Sequence, residues 1–378
     1  MRSPRNRKGM ALGLVLIAIA VISVMIVGAY YANVQEYRLG SNSLTQNRAM
    51  TAAEYGHGAV YQNWSRSWNS FKSGTTFVRA YGPGDGSIDS VRITKLNNLS
   101  YLVASEGRSG NGPHGGARRR AGLLVRLSVP QINVLGAITT KGVVKIGGST
   151  SINGNDTSFA GWNCPPAGAA VAGAAVPAYT NLAYGGTCPG GACIKGSPLV
   201  AITPLASDSN TYFSYGGMKW ADLVAMADKS VSGTMTGVGP VVLAGLCKTS
   251  DIKNWGDPAR NVLLPGACES YFPVIYAPGD LSVNGNVGQG ILLVNGNLSI
   301  QGGFSFYGPV ISRGSVKLTG TGNHINGSVL AASVIDSTST SLLSGNSAIQ
   351  FSRCANNVAL QRTALPAKAP QRSWSELF

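Results

Sequence analysis

Six cysteines, three histidines and a run of three arginines are the residues of this 378-residue chain with the most reactive side chains, and their placement narrows the chemistry. The cysteines are Cys164, Cys188, Cys193, Cys247, Cys268 and Cys354, all beyond position 160. They suit either disulfides in an oxidising compartment or a zinc site. No CxxC pair occurs and His57, His114 and His324 are scattered, so the spacing favours disulfides. Six cysteines allow about 15 pairings and spacing selects none of them, although Cys188 and Cys193 can close a small loop. Arg118-Arg119-Arg120 reads either as a solvated loop or as a contact for a polyanion such as DNA or a surface glycan.

Carboxylates are scarce, with 15 Asp plus Glu against 30 Lys plus Arg. Glycosidase or lyase chemistry needs clustered acids, as an acid/base pair or a calcium cradle. The segment Gly279 to Ser352 holds only Asp280 and Asp336, and the related stretch upstream adds Asp156. No nucleophile elbow, phosphate loop or metal-binding helix motif is present. The expectation is a protein that is not an enzyme and needs neither metal nor cofactor.

The elements that must carry these residues begin with an apolar segment. From Met10 to Tyr31 there is no charge, and these 22 residues span about 33 Å as a helix, enough to cross a bilayer core of about 30 Å. Arg2, Arg5, Arg7 and Lys8 precede it, supply four of the +15 formal charges, and by the positive-inside rule place the remainder outside the cytoplasm. A secretory signal has a shorter apolar core, which favours a retained anchor in the inner membrane. Val27-Gly28-Ala29 keeps open the alternative of cleavage before Tyr30. Beyond Tyr31, Met50, Ala53, His57, Val60, Trp64, Trp68 and Phe71 recur at helical spacing, so an amphipathic continuation is expected over 34–72. Gly40, Gly56 and Gly58 weaken it, and a bend or fraying is expected near Gly40.

With the leader ending in Lys8-Gly9, the apolar Met10, the spanning helix over 10–33 and "NRAMTAAEYG" from Asn47 to Gly56, the first 60 or so residues resemble the N-terminal module of PilX-type minor pilins. The resemblance implies that residues 1–9 are a class III leader and that prepilin peptidase cuts between Gly9 and Met10 and methylates the new terminus. It also implies packing against other pilins or pseudopilins. Major pilins carry Glu at the fifth mature position, where this chain has Leu14, and that departure weighs against a major pilin.

The segment 73–130 alternates in "TTFVRAY", "SIDSVRITKL", "SYLVASEG" and "AGLLVRLSV" between Gly/Asn/Pro turns, which predicts an antiparallel sheet. Then comes a repeat, G-x-[LV]-x-[VIL]-x-G, in "GDLSVNG", "GNLSIQG" and "GSVKLTG". Its copies begin at Gly279, Gly296 and Gly314, 17 and then 18 residues apart, which predicts coils of a parallel β-helix. "GVVKIGG" at Gly142 is an upstream copy. The expected solenoid therefore comprises 131–156 and 272–352, interrupted by a Cys-containing insertion over 157–271 with a helix at Lys219 to Val231. That insertion serves either as a recognition surface or as a cap. The solenoid is similar to bactofilin-like β-helices. Residues 353–378 read as a tail whose Trp374, Leu377 and Phe378 dock on this chain or on a neighbour. The fold class is thus mainly β with a long N-terminal α-helix: a single transmembrane helix, an antiparallel sheet and a short parallel solenoid carrying a disulfide-containing insertion.

The function expected is a minor pilin-like subunit for type IV pilus assembly, reaching the pilus or cell surface after assembly. The alternatives are a type II secretion pseudopilin, a membrane-anchored bactofilin-like scaffold, and a secreted β-helical adhesion or polyanion-binding module.

Overall fold

In a computed structural model, the apolar run and the amphipathic stripe after it form one α-helix, Met10–Gln62, 53 residues in all. The structure describes residues 10–81, 88–109, 116–162, 164–185, 188–259, 266–332, 340–367 and 374–377. The leader through Gly9, His114, Asp336 and Phe378 lie outside them. No break occurs at Gly40, where a bend was expected. One glycine costs a helix only about 1 kcal/mol, too little to interrupt an element this long. The helix does stop earlier than the stripe implied. Asn63 turns its side chain back onto the Ala59 carbonyl at 2.8 Å, Ser65 is extended, and Trp68 sits instead on a short 3-10 turn, Arg66–Ser70.

The chain divides into two compact units: Met1–Trp64 with Gly74–Arg126 and Lys368–Phe378, and Ser65–Ser73 with Leu127–Ala367. In the first, strands Thr76–Arg79, Ile88–Asn97, Ser100–Ser109 and Ala117–Ser128 form the expected antiparallel sheet. The chain terminus adds an edge strand, Trp374–Leu377, paired so that Trp374 faces Leu123 and Leu377 faces Arg120. The tail thus docks on this chain. Alternate residues of the sheet, among them Val91, Ile93, Tyr101, Val103, Ala121 and Val125, are buried.

The second unit is a stack of parallel coils. Leu281 pairs with Leu298 and Leu298 with Val316, and Val283, Ile300 and Leu318 follow two residues on. These aliphatics form ladders in a fully enclosed core that also takes Trp255, Phe304 and Phe306. Each repeat's two glycines do different work. The trailing ones, Gly285, Gly302 and Gly320, have φ of +76°, +72° and +87°, the left-handed corner that side-chain-bearing residues avoid. Of the leading ones, Gly296 and Gly314 leave room for the coil below, since a Cβ on Gly314 would come within 2.6 Å of the Asn297 Oδ1, whereas Gly279 in the first copy meets nothing within 4 Å.

The upstream copy, strand Val143–Ile146, pairs not with the coil at Gly279 but with Thr340–Leu343. The first coil in the sequence therefore abuts the last. From there the stack continues outward through Ala172–Val176, Leu182–Tyr184, Ile194–Lys195 and Val200–Ile202. At the far end it begins with Lys229–Ser230 and Gly233–Val238, which pair with strands at Val274–Ala277 and Leu281–Gln289. Residues 157–271 are thus not simply an insertion, because they supply coils at both ends of the stack. The helix expected at Lys219 to Val231 is confined to Trp220–Ala225, since Asp228 anchors the chain through the Val274 amide and Lys229 enters a strand.

One outer face of the stack carries Val274, Ile291, Leu293, Ile311 and Leu330, and it too is covered. Tyr212, Tyr215 and Leu223 lie over it together with a helix, Arg353–Thr363, at the start of what was expected to be a C-terminal tail. Ser352 caps that helix by accepting from the Ala355 amide at 3.1 Å. Burial on both sides explains the unbroken apolar strand Ile291–Val294.

Candidate functional site

The first half of the long helix presents apolar side chains on every side. Leu12, Leu14, Ile17, Val24 and Val27 are each more than 60% exposed, and among the described residues none before Ala49 is buried. An all-round apolar surface of this length is stable in lipid or against other apolar helices and not in water. The helix is long and apolar enough to cross a membrane. Leu14, where a major pilin would hold a carboxylate, is one of these exposed aliphatics.

From Ala49 onward the same helix changes role. Ala49, Ala52, Ala53 and Gly56 form a seam of small residues laid on the sheet. A Cβ on Gly107 would lie 2.5 Å from the Ala53 amide nitrogen, and one on Gly56 would lie 2.9 Å from a Val91 methyl. The helix residues of this seam belong to the "NRAMTAAEYG" segment, and here their smallness lets helix and sheet backbones approach. His57, expected in the packed stripe, is buried there and its Nε2–H donates to the Ala121 carbonyl at 3.0 Å. Burial holds its pKa below the ordinary histidine value. Trp64, just past the helix end, packs edge-on against Tyr101 at 4.8 Å between ring centres.

The arginine run is not a loop. Strand Ala117–Ser128 pairs Arg118 with Arg108 and Arg120 with Glu106, so the run alternates between the two sides of the sheet. Arg119 points to the helix side, with Gln46 at 2.7 Å and Glu376 at 2.8 Å. Arg118 and Arg120 lie on the outer side with Glu106, at 3.5 and 2.8 Å. Register adds Arg92, Arg108 and Arg126 to that side, which the residues of one strand alone do not reveal. Hydrogen bonding from Arg120, with the charges of Arg118 and Arg108, holds the Glu106 carboxyl below the usual range against the opposing effect of burial.

All six cysteines pair, as Cys164–Cys354, Cys188–Cys193 and Cys247–Cys268, with Cα separations of 5.6, 5.1 and 4.9 Å. The first ties the segment after the upstream coil to the helix Arg353–Thr363, across 190 residues. The second closes a corner between strands Leu182–Tyr184 and Ile194–Lys195, with Cys188 fully buried in the core. Only this pair was suggested by spacing. Among the described residues no group of three or more His, Cys, Asp or Glu is placed to hold a metal ion.

No protein-family model matches the chain, and no curated protein matches it. Among solved structures, the competence-associated pilin ComZ from Thermus thermophilus aligns with 88% of this chain and 97% of its own length, at 14% identity and a TM-score of 0.25. A TM-score that low does not establish a common fold.

Proposed function

We propose that this chain is a non-enzymatic, membrane-anchored pilin-like subunit of the minor class that serves type IV pilus assembly. One observation carries the reading: a helical segment, uncharged from Met10 to Tyr31 and apolar on all sides, runs without a break into a half that is packed on its own sheet. A secretory signal is discarded and has no need of that continuity. A helix that first sits in the inner membrane and then packs among other pilin helices does need it. In this reading prepilin peptidase cuts after Gly9, Met10 becomes the terminus, and the β-rich part stays outside the cytoplasm. A type II pseudopilin would use the same helix in the same way.

The test is a charge placed mid-span. Val21→Arg adds roughly 3 kcal/mol to insertion at a helix centre, so it should shift the protein out of the alkali-resistant membrane pellet and out of the sheared-surface fraction. Wild-type protein recovered as a soluble product lacking the helix would refute the anchor.

The outer side of the sheet favours a second activity, contact with a polyanion such as DNA or a surface glycan. Among the described residues, five arginines there face one glutamate. Binding should weaken steeply with added salt, and Arg118→Gln with Arg120→Gln should flatten that slope by about two counter-ions. A salt-independent signal would remove the idea.

A further inference from the structure

The outer side of the antiparallel sheet carries aliphatic side chains among its arginines. Register sets Leu102 beside Leu124 across strands Ser100–Ser109 and Ala117–Ser128, and Val78 beside Arg92 on the edge strand Thr76–Arg79. Their exposures are 36%, 49% and 55%, so these aliphatics meet solvent within the cationic side. On the two central strands the row between the leucines and Arg120 is Ala104 and Gly122, small residues that leave the surface flat.

The charge on this side is unbalanced. Glu106 is shared by Arg108, Arg118 and Arg120 at 3.6, 3.5 and 2.8 Å. Arg92 and Arg126 are exposed and stand away from it, Arg92 opposite Ala104 and Arg126 opposite Ser100. With Arg108 counted as fully satisfied, Arg92, Arg118, Arg120 and Arg126 still face one carboxylate among the described residues. A second copy of the chain would bring the same sign and be repelled, so charge complementarity calls for an acidic partner.

The aliphatics narrow the class of that partner. Against a nucleic acid or an acidic polysaccharide, Leu102, Leu124 and Val78 would face hydrated phosphates or hydroxyls and gain little from contact. At an anionic bilayer they enter the boundary between headgroups and acyl chains, while the guanidiniums around them take lipid phosphates through paired hydrogen bonds.

We propose that the outer side of this sheet docks on an anionic phospholipid surface, with Leu102, Leu124 and Val78 in the headgroup–acyl boundary and Arg92, Arg118, Arg120 and Arg126 on the phosphates. The contact is additional to the span made by the apolar helix. It rests on the reading of this side as an anion contact and names the anion.

Flotation tests it. The full chain, held by its helix in phosphatidylcholine nanodiscs, is mixed with separate vesicles of phosphatidylcholine, with or without phosphatidylglycerol, and in parallel with duplex DNA. Nanodiscs carrying the chain should float with the anionic vesicles and not with the neutral ones. Arg92→Gln with Arg126→Gln should weaken that binding about 30-fold, at about fivefold for each cation near an anionic surface. Leu102→Ser with Leu124→Ser keeps every arginine, so it should weaken vesicle binding about tenfold while any binding of DNA stays as in wild type. All four side chains are exposed, and the melting temperature should hold in both variants. Equal flotation with neutral and anionic vesicles, or full affinity in the leucine variant, would overturn the lipid proposal. If DNA still binds in that case, the anion contact survives without the lipid; if neither probe binds, both readings fall.

Discussion

The helix-and-sheet unit and the coil stack bury their interiors by opposite means. In the first, small residues bring two backbones together: Ala49, Ala53 and Gly56 on the helix meet Ser105 and Gly107 on the sheet, and no cysteine lies in it. In the second, large aliphatics stack in ladders at 17- and 18-residue spacing, and all three disulfides are found there. A single coil cannot bury its own inner face, so a stack depends on its neighbours and on whatever holds its chain segments in place. A helix lying on an antiparallel sheet closes its core locally and has less need of cross-links. The same division predicts where each unit breaks.

The largest effect should come from the long disulfide. Closing a loop of 190 residues stabilises by about 5 kcal/mol in the chain-entropy model, so Cys164→Ser with Cys354→Ser should lower the denaturation midpoint of the stack far more than Cys188→Ser with Cys193→Ser, whose short loop is worth about 2 kcal/mol. Equal losses in the two variants, read by chemical denaturation, would count against loop closure as the cause. Next is the seam. Gly107→Val must push the helix off the sheet and should cost about 3 kcal/mol in the first unit, while Gly58→Ala, which meets nothing within 4 Å, should be neutral or slightly stabilising.

Two smaller effects follow from ionisation in the first unit. His57 has a folded pKa below its ordinary 6.5, so the unfolded chain takes up the proton first. Stability should then fall as pH drops through 6.5 toward the lower folded value, and His57→Gln should remove that slope from a melting-temperature profile. Glu106 is the acid counterpart. Its folded pKa lies below the ordinary 4.5, so its contribution is present above that value and is lost as pH falls through the folded one. The Glu106→Gln profile should run flatter than wild type in that acid range.

The same contrast governs what could be read from the residues alone. The antiparallel strands announced themselves because each pairs with its neighbour in the chain and alternates in the usual way. The glycine-flanked coils did so through an explicit repeat. The stack's outer coils did not, because Ala172–Val176 is built of small residues and carries no G-x-L-x-V-x-G signature, while its partner strand Gly136–Thr140 lies more than 30 residues earlier. Pairing of the first coil with the last is a long-range fact that periodicity cannot express. The five-arginine face likewise needs register to bring Arg92 and Arg126 beside Arg120, and the cavity beside the 3-10 turn gathers residues from positions 66, 228, 271 and 362. The apolar helix was legible because its whole signal lies in 22 consecutive residues.

The central claim is that this helix is kept in the working protein, and the mature N-terminus tests it most directly. Mass spectrometry of the native protein from membrane and sheared-surface fractions should find an N-methylated Met10. A mature chain beginning at Tyr30 would contradict the claim, while one still carrying Met1 would keep the anchor and refute cleavage after Gly9.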